Sequence, residues 1–477
     1  MRERWIGGLA ALTVASTLWN ASGMAAVPAV VCAVFAGTTF AALFVPVPGE
    51  VSGTSAAREN LRRLARFPGF WLGVALFALM LCQHVNASRE ILLQGENAWW
   101  KIIYVPEHVA WLPNGVDAPF GFDGRLGMNA LRQMCVFGSA WLVLCALWCG
   151  VRSRRIRTWF LWALTLNAVL LAVFCLLRWS NNVSSEYLGY RTGVSSFFGV
   201  FSYKNHAAEF FVLSFSLSVS LALTVWRRNA ETFRKSGAHV LLAALSFFLW
   251  IAALCTASFA GIAEAAAWLF VVPALIAFSG LMRRTTWIAF GFVSALIAGL
   301  AAVWFATADM DATWNKIEAK VALMKKEEID DRAPLRELTL NMYTRNATRE
   351  VFGWGAGSYR WLAHTFQRQM PEFLDKKGRL KSWTEYAHCD PLQMLAEWGA
   401  LGAGIFFAGT LWFFAFAARN VRRWRAPSVA LLCGIAFFAA HSTMDFVSYN
   451  PALLLTLATV VVAFRWSLKR REEKGVV

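Results

Sequence analysis

Apolar runs of about twenty residues recur from one end of this chain to the other, each long enough to cross a hydrocarbon core about 30 Å thick. The runs are continuous where a membrane strand would alternate, and about twice a barrel strand in length, so they read as helices. Of 477 residues, 58% are hydrophobic and only 16% charged, which excludes a soluble protein of two or three domains. Hydropathy places spans near 5–22, 24–46, 68–85, 128–150, 158–177, 206–226, 238–257, 262–282, 286–306, 392–417, 427–441 and 450–466. The fold class is therefore an all-α polytopic membrane protein with about twelve transmembrane helices.

A formal charge of +17 would suit nucleic acid, but the placement of the charges argues for orientation in a bilayer. Arg58, Arg62, Arg63 and Arg66, then Arg152 to Arg157, Arg227 to Lys235, Arg283 and Arg284, Arg419 to Arg425, and Lys469 to Arg471 occupy every second inter-span loop. That is the positive-inside pattern, with membrane lipids and no nucleic acid as partners. Both termini are then expected in the cytoplasm. The first 26 residues resemble a signal peptide, but a second apolar run follows at once, and an uncleaved first span is the preferred reading. Eight of nine cysteines lie in or beside apolar runs and are expected to pack as small hydrophobes.

Three polar segments fall on the outer side: 86–127, rich in Trp, Pro and Gly; 178–205; and the large loop 307–391 between spans 9 and 10. Trp314, Ile317, Val321 and Met324 repeat at helical spacing, which fits an amphipathic helix on the membrane or a face packed on neighbouring spans. Walker, dinucleotide and paired Cys/His metal signatures are absent, so neither ATP hydrolysis nor a redox cofactor is expected, nor a metal. Three glycines alternate in Gly353-Trp354-Gly355-Ala356-Gly357 and leave backbone N–H groups able to meet an anion, although a plain turn explains them equally well. His388 precedes the next span in Ala387-His388-Cys389-Asp390, with Glu397-Trp398-Gly399 further along. Taken singly, His388 is more often an interfacial residue and Arg336 a solvated helix charge. His441 reads as structural. Asn205-His206 reads as a helix start. Trp99, Trp100 and Trp111 fit an aromatic belt.

Taken together, Arg336, the glycine turn and the segment from Ala387 to Gly399 resemble the O-antigen ligase and O-antigen polymerase superfamily of bacterial inner-membrane transferases. Phe201-Ser202-Tyr203-Lys204-Asn205-His206, His441-Ser442-Thr443-Met444-Asp445-Phe446 and Asn450-Pro451-Ala452 resemble flanking motifs of that family. The likeness spans roughly 190–466, and divides the chain into N-terminal helices 1–190, a ligase-like core 191–466 and a tail 467–477.

The resemblance implies a C-type membrane glycosyltransferase architecture. It implies metal-independent transfer of a glycan from an undecaprenyl diphosphate-linked donor to a hydroxyl of lipid A–core or of another glycan, on the periplasmic face. In that chemistry His388 is the base or acceptor-orienting group and Arg336 the diphosphate clamp. Arg360, Arg191 and Lys204 are further cations, with Gly353, Gly355, Gly357, Asp445 and Glu397 around the substrate. One departure stands out. The family often carries Ser-Arg-Gly at the outer end of a middle span, where this chain reads Thr256-Ala257-Ser258-Phe259-Ala260-Gly261. Ligase, polymerase and protein-glycosylating chemistry all remain open. A lipid-carrier or polysaccharide transporter is the competing class, weakened by spans almost free of charge apart from Glu264. A catalytically silent scaffold gains from Phe259.

Overall fold

Wherever an apolar run falls among the described residues, the computed structural model holds a helix. Residues 1–45, 53–94, 99–120, 128–181, 186–191, 197–232, 237–280 and 332–468 are described. Eleven of the expected spans coincide with α1 (Arg2–Trp19), α2 (Ala26–Ala41), α4 (Pro68–Val85), α5 (Ala130–Gly150), α6 (Arg154–Ser180), α7 (Lys204–Thr232), α8 (Ala238–Cys255), α9 (Phe259–Ser279), α13 (Asp390–Arg419), α14 (Ala426–Ser442) and α15 (Pro451–Ser467). Seven of these are long and apolar enough to cross a membrane, while α2, α14 and α15 are shorter apolar helices. The run near 286–306 and the stripe from Trp314 to Met324 lie outside the described residues.

Basic segments gather at one end of the bundle. Glu3 accepts hydrogen bonds from the backbone of Arg152 and Ser153 at 2.8 and 2.5 Å. The amphipathic α3 (Gly53–Ala65) sends Arg63 to the carbonyl of Cys149 at 3.2 Å. Arg465 lies over the ring of Trp148, 4.2 Å from its centre.

The opposite end corrects the expectation of a purely helical fold with 86–127 as a loop. Strand β1 (Arg89–Gln94) pairs antiparallel with β2 (Trp99–Tyr104), Arg89 opposite Tyr104, and parallel with the short β3 (Val116–Asp117). The aliphatic and aromatic residues of REILLQ and WWKIIY suit a half-covered sheet. A second core forms there from Ile91, Val116, Leu338, Met342, Trp354 and Trp361. It joins the sheet to α10 (Ala333–Tyr343), α11 (Ala347–Phe352) and α12 (Tyr359–Gln367). Trp100 meets Trp361 edge to face at 5.3 Å and donates to its carbonyl. Trp100 is thus a core residue, whereas Trp111 is exposed. Residues 186–191 add a two-residue ladder of β4 (Glu186–Tyr187) and β5 (Tyr190–Arg191).

Small residues set how closely the spans approach. A Cβ on Gly261 of α9 would stand 2.4 Å from the Cβ of Ala208 on α7, and one on Gly434 of α14 would stand 2.3 Å from Ser216 Oγ. Apolar lipid offers no hydrophobic drive between helices, so this close packing is what holds α7, α9 and α14 together.

Candidate functional site

The site lies at the end of the bundle away from the basic segments, here called its outer end, where α7, α9, α10 and α13 meet the turn 443–450 between α14 and α15. Cys389 is the N-cap of α13, and His388 before it holds a left-handed backbone at φ 51°. A residue with a side chain pays for that conformation, and such strain concentrates where a side chain must be aimed. The ring is aimed at Asp445, with Nδ1 2.9 Å from Oδ1. Asp445 is buried and its second oxygen is crowded with donors. Tyr203 donates from 3.1 Å, Asn205 donates through Nδ2, and Arg332 forms an ion pair at 3.4 Å. The backbone N–H of Phe446 donates to Oδ1 at 2.9 Å. Burial opposes ionisation of Asp445, but the bond and charge of His388, with Arg332 and Asn205, overcome it and hold the carboxyl below the ordinary carboxylate range. Tyr203 moves the other way. Burial and the Asp445 charge raise its phenol, so it stays a donor.

A carboxylate on Nδ1 takes the N–H of that nitrogen and leaves Nε2 as the basic atom. Nε2 has no partner among the described residues, and the side chain is 27% exposed. Phe446 packs the site from below: Tyr386 stacks on it at 4.0 Å, Tyr203 at 5.0 Å, and His388 meets its ring edge to face.

Several cations stand at this end of the bundle. Arg336 lies near enough to Cys389 to act on its thiol electrostatically. Arg332, one turn earlier on the same face of that segment, is the arginine that reaches Asp445, and its position four residues from Arg336 was the available signal. Lys204 donates to the carbonyl of Ala257 at 3.1 Å. The ammonium therefore sits at the Thr256–Gly261 corner, where Phe259 is exposed. Arg360 pairs with Glu385 at 3.2 Å, and both act electrostatically on Arg132, a buried arginine at the outer end of α5 that sequence reasoning passed over. The side chain of Arg191 lies outside the described residues.

The glycine turn and Glu397 stand elsewhere and do other work. Helix α13 breaks at Gly399, where φ is 67°. That break frees the carbonyls of Ala396 and Glu397 from the helical ladder, and the turn caps them. Trp354 N donates to Ala396 O and Gly355 N to Glu397 O, both at 2.8 Å. Ala356 N goes to Gln83 Oε1 at 3.1 Å, and Tyr359 N to Glu397 Oε1 at 3.2 Å. These N–H groups, expected to be open to an anion, are spent inside the protein. The glycines are needed for contact instead: a Cβ on Gly353 would meet Glu397 C at 2.4 Å, on Gly355 the Cα of Gly115 at 2.5 Å, and on Gly357 the backbone of Asn129 at 2.8 Å. The Glu397 carboxylate is buried and also accepts from Gln133 at 2.6 Å and Tyr449 at 3.0 Å. It fastens the turn to the bundle and makes no bond to His388.

Residues 250–407 match the model of a protein family described as O-antigen ligase. The matched stretch takes in the Ser258–Gly261 corner, Arg332, Arg336, the glycine turn, His388 and the Gly399 break. No curated protein matches the chain. Residues 250–407 thus match an O-antigen ligase domain, which supports the likeness of the chain to the O-antigen ligase and polymerase superfamily.

Proposed function

We propose that the protein transfers a glycan from an undecaprenyl diphosphate-linked donor to an acceptor hydroxyl, at the periplasmic face of the bacterial inner membrane. The acceptor O–H gives its proton to His388 Nε2 as its oxygen attacks the anomeric carbon. The bond from that carbon to the diphosphate oxygen breaks, and the lipid diphosphate leaves with both electrons. Asp445 fixes the ring and balances the imidazolium formed. Arg336, Lys204 and Arg360 receive the diphosphate, with Arg332 beside them, and Lys204 stands in at the Phe259 corner. No metal is called on at the phosphates, because guanidinium and ammonium groups carry the charge that develops there.

The observation that carries this reading is the His388–Asp445 pair, 2.9 Å apart, with Arg332 on the second oxygen of the same carboxylate. The basic segments gathered at the far end of the bundle support the orientation. A transporter of lipid-linked glycan is the other class, and the buried Glu209, Glu264 and His441 favour it, since transporters keep charge within the bilayer.

One reconstitution separates the two. Proteoliposomes receive carrier-linked glycan and acceptor on the same face. A transferase joins them without moving the carrier, and His388→Ala abolishes the product while the circular dichroism is unchanged. Undiminished product from His388→Ala would overturn the assignment. Movement of carrier with no joined product would establish the transporter.

A further inference from the structure

The transferase chemistry leaves a second titratable cluster unused, inside the bundle where α7, α9 and α14 pack on small residues. His441 Nδ1 lies 2.9 Å from Glu209 Oε2 and 3.3 Å from Glu264 Oε1, and all three side chains are buried. Their ligand-type atoms lie within 4.8 Å of one another. The remaining atoms, Glu209 Oε1, Glu264 Oε2 and His441 Nε2, are buried with no hydrogen-bond partner among the described residues. Trp268 Nε1, one turn beyond Glu264, is in the same condition.

Such a group cannot be left as it stands. Two carboxylates with a neutral imidazole carry two negative charges, and with an imidazolium still one, in a low-dielectric interior where an uncompensated charge costs several kcal/mol. An extra proton cancels the charge but satisfies one oxygen only. A divalent ion cancels both carboxylates at once and leaves a coordination position for water, which supplies donors to the orphaned oxygens. The spacing suits it as well. Ligands bound tetrahedrally at roughly 2.0–2.2 Å stand about 3.3–3.6 Å apart, so a widening of a few tenths of an ångström from the 2.9 and 3.3 Å observed admits the ion. One imidazole and two carboxylates make too few and too soft a set for Ca2+ or Mg2+.

We propose that Glu209, Glu264 and His441 form a binding site for one divalent transition-metal ion of the Zn2+ or Mn2+ class. The ion clasps α7, α9 and α14 together and touches neither donor nor acceptor. The backbone carbonyl of His441 accepts the N–H of Asp445 at 2.9 Å, so the clasp anchors the helix end that presents the partner of His388. The site stands whether or not the transferase reading does.

The test uses untagged full-length protein in detergent, stripped with chelator and titrated separately with Zn2+, Mn2+ and Mg2+. Bound metal is read by mass spectrometry after gel filtration, and stability by thermal unfolding. The expected result is about one Zn2+ or Mn2+ per chain and a Tm higher by about 5 °C, with no response to Mg2+. Glu209→Gln and His441→Gln bind under a tenth as much metal and lose the Tm response, and His388→Ala binds as wild type does. Should those variants fail to fold, X-ray absorption of Zn2+-loaded wild type decides. A first shell of one imidazole and oxygens supports the site, and sulfur ligation by cysteine overturns it. Equal binding by wild type and folded Glu209→Gln, or a Tm indifferent to every metal, also overturns it.

Discussion

Two histidines live under opposite conditions, although His441 lies only one helical turn before the Asp445 that holds His388. His388 is held by Asp445 at the outer end and partly open, with Arg332 on the same carboxylate and Arg336 near the adjacent Cys389. His441 is sealed among α7, α9 and α14 with two glutamates, and no cationic side chain pairs with the cluster among the described residues. The residue types are nearly the same. What differs is which charge is in surplus and whether a ligand can arrive from water or only from within. A cation-rich mouth with one basic nitrogen suits an anionic leaving group, and an anion-rich pocket closed to solvent suits a small cation. Burial and the sign of the surrounding charge, more than side-chain identity, divide the labour.

Several measurements would break or sharpen this contrast. The largest effect belongs to His388→Ala, expected to lower transfer by about 10²–10⁴-fold with metal content untouched. A fall in bound metal would merge the two sites into one. Next comes Gly399→Ala. It places a side chain at φ 67° with its Cβ 2.3 Å from Val351 O, and should cost about 3 kcal/mol or more of unfolding free energy. A neutral result would show that the glycine turn does not dock on α13.

Asp445→Asn removes the acceptor that orients His388, and transfer should drop about a hundredfold. It also carries a pH signature. Because the folded carboxyl titrates below its unfolded value of about 3.9, its contribution to stability is whole above about pH 4 and is lost as pH falls through the folded value. The Tm gap between wild type and Asp445→Asn should therefore be full at pH 7 and close in acid. A gap that widened in acid would mean that Asp445 is not ionised in the fold. The smallest effect is Lys204→Met, expected to raise KM for the lipid-linked donor about tenfold with kcat nearly kept, the loss of one charged hydrogen bond. An unchanged KM would remove Lys204 from the Phe259 corner's role.

Much of the outer end was legible in the chain. His388, Arg336, Asp445 and Lys204 were named from motif order, and Tyr203 and Asn205 stood in a quoted motif. Helix positions followed from hydropathy because a bilayer forces each apolar run to satisfy its own backbone. Other residues were silent for reasons of distance. Arg132 lies more than two hundred residues from Glu385 and Tyr386, beside which it acts, and only folding brings them together. Glu209 is a single charge near the start of α7 that no motif singles out, and its meaning arises from Glu264 and His441 on two other helices. The glycine turn was visible but its use was not, since the acceptors it caps are backbone carbonyls that exist only once α13 breaks.

The sequence by itself determined the helices, the basic loops gathered at one end of the bundle and the list of polar residues at the other. Those follow from local chemistry, from twenty-residue hydropathy and from where Lys and Arg interrupt it. Tertiary structure alone decided which histidine meets which acid, which arginine reaches Asp445 and that Glu397 is a fastening. Each of those depends on distances of a few ångströms between segments far apart in the chain, set by how closely small residues let the helices pack.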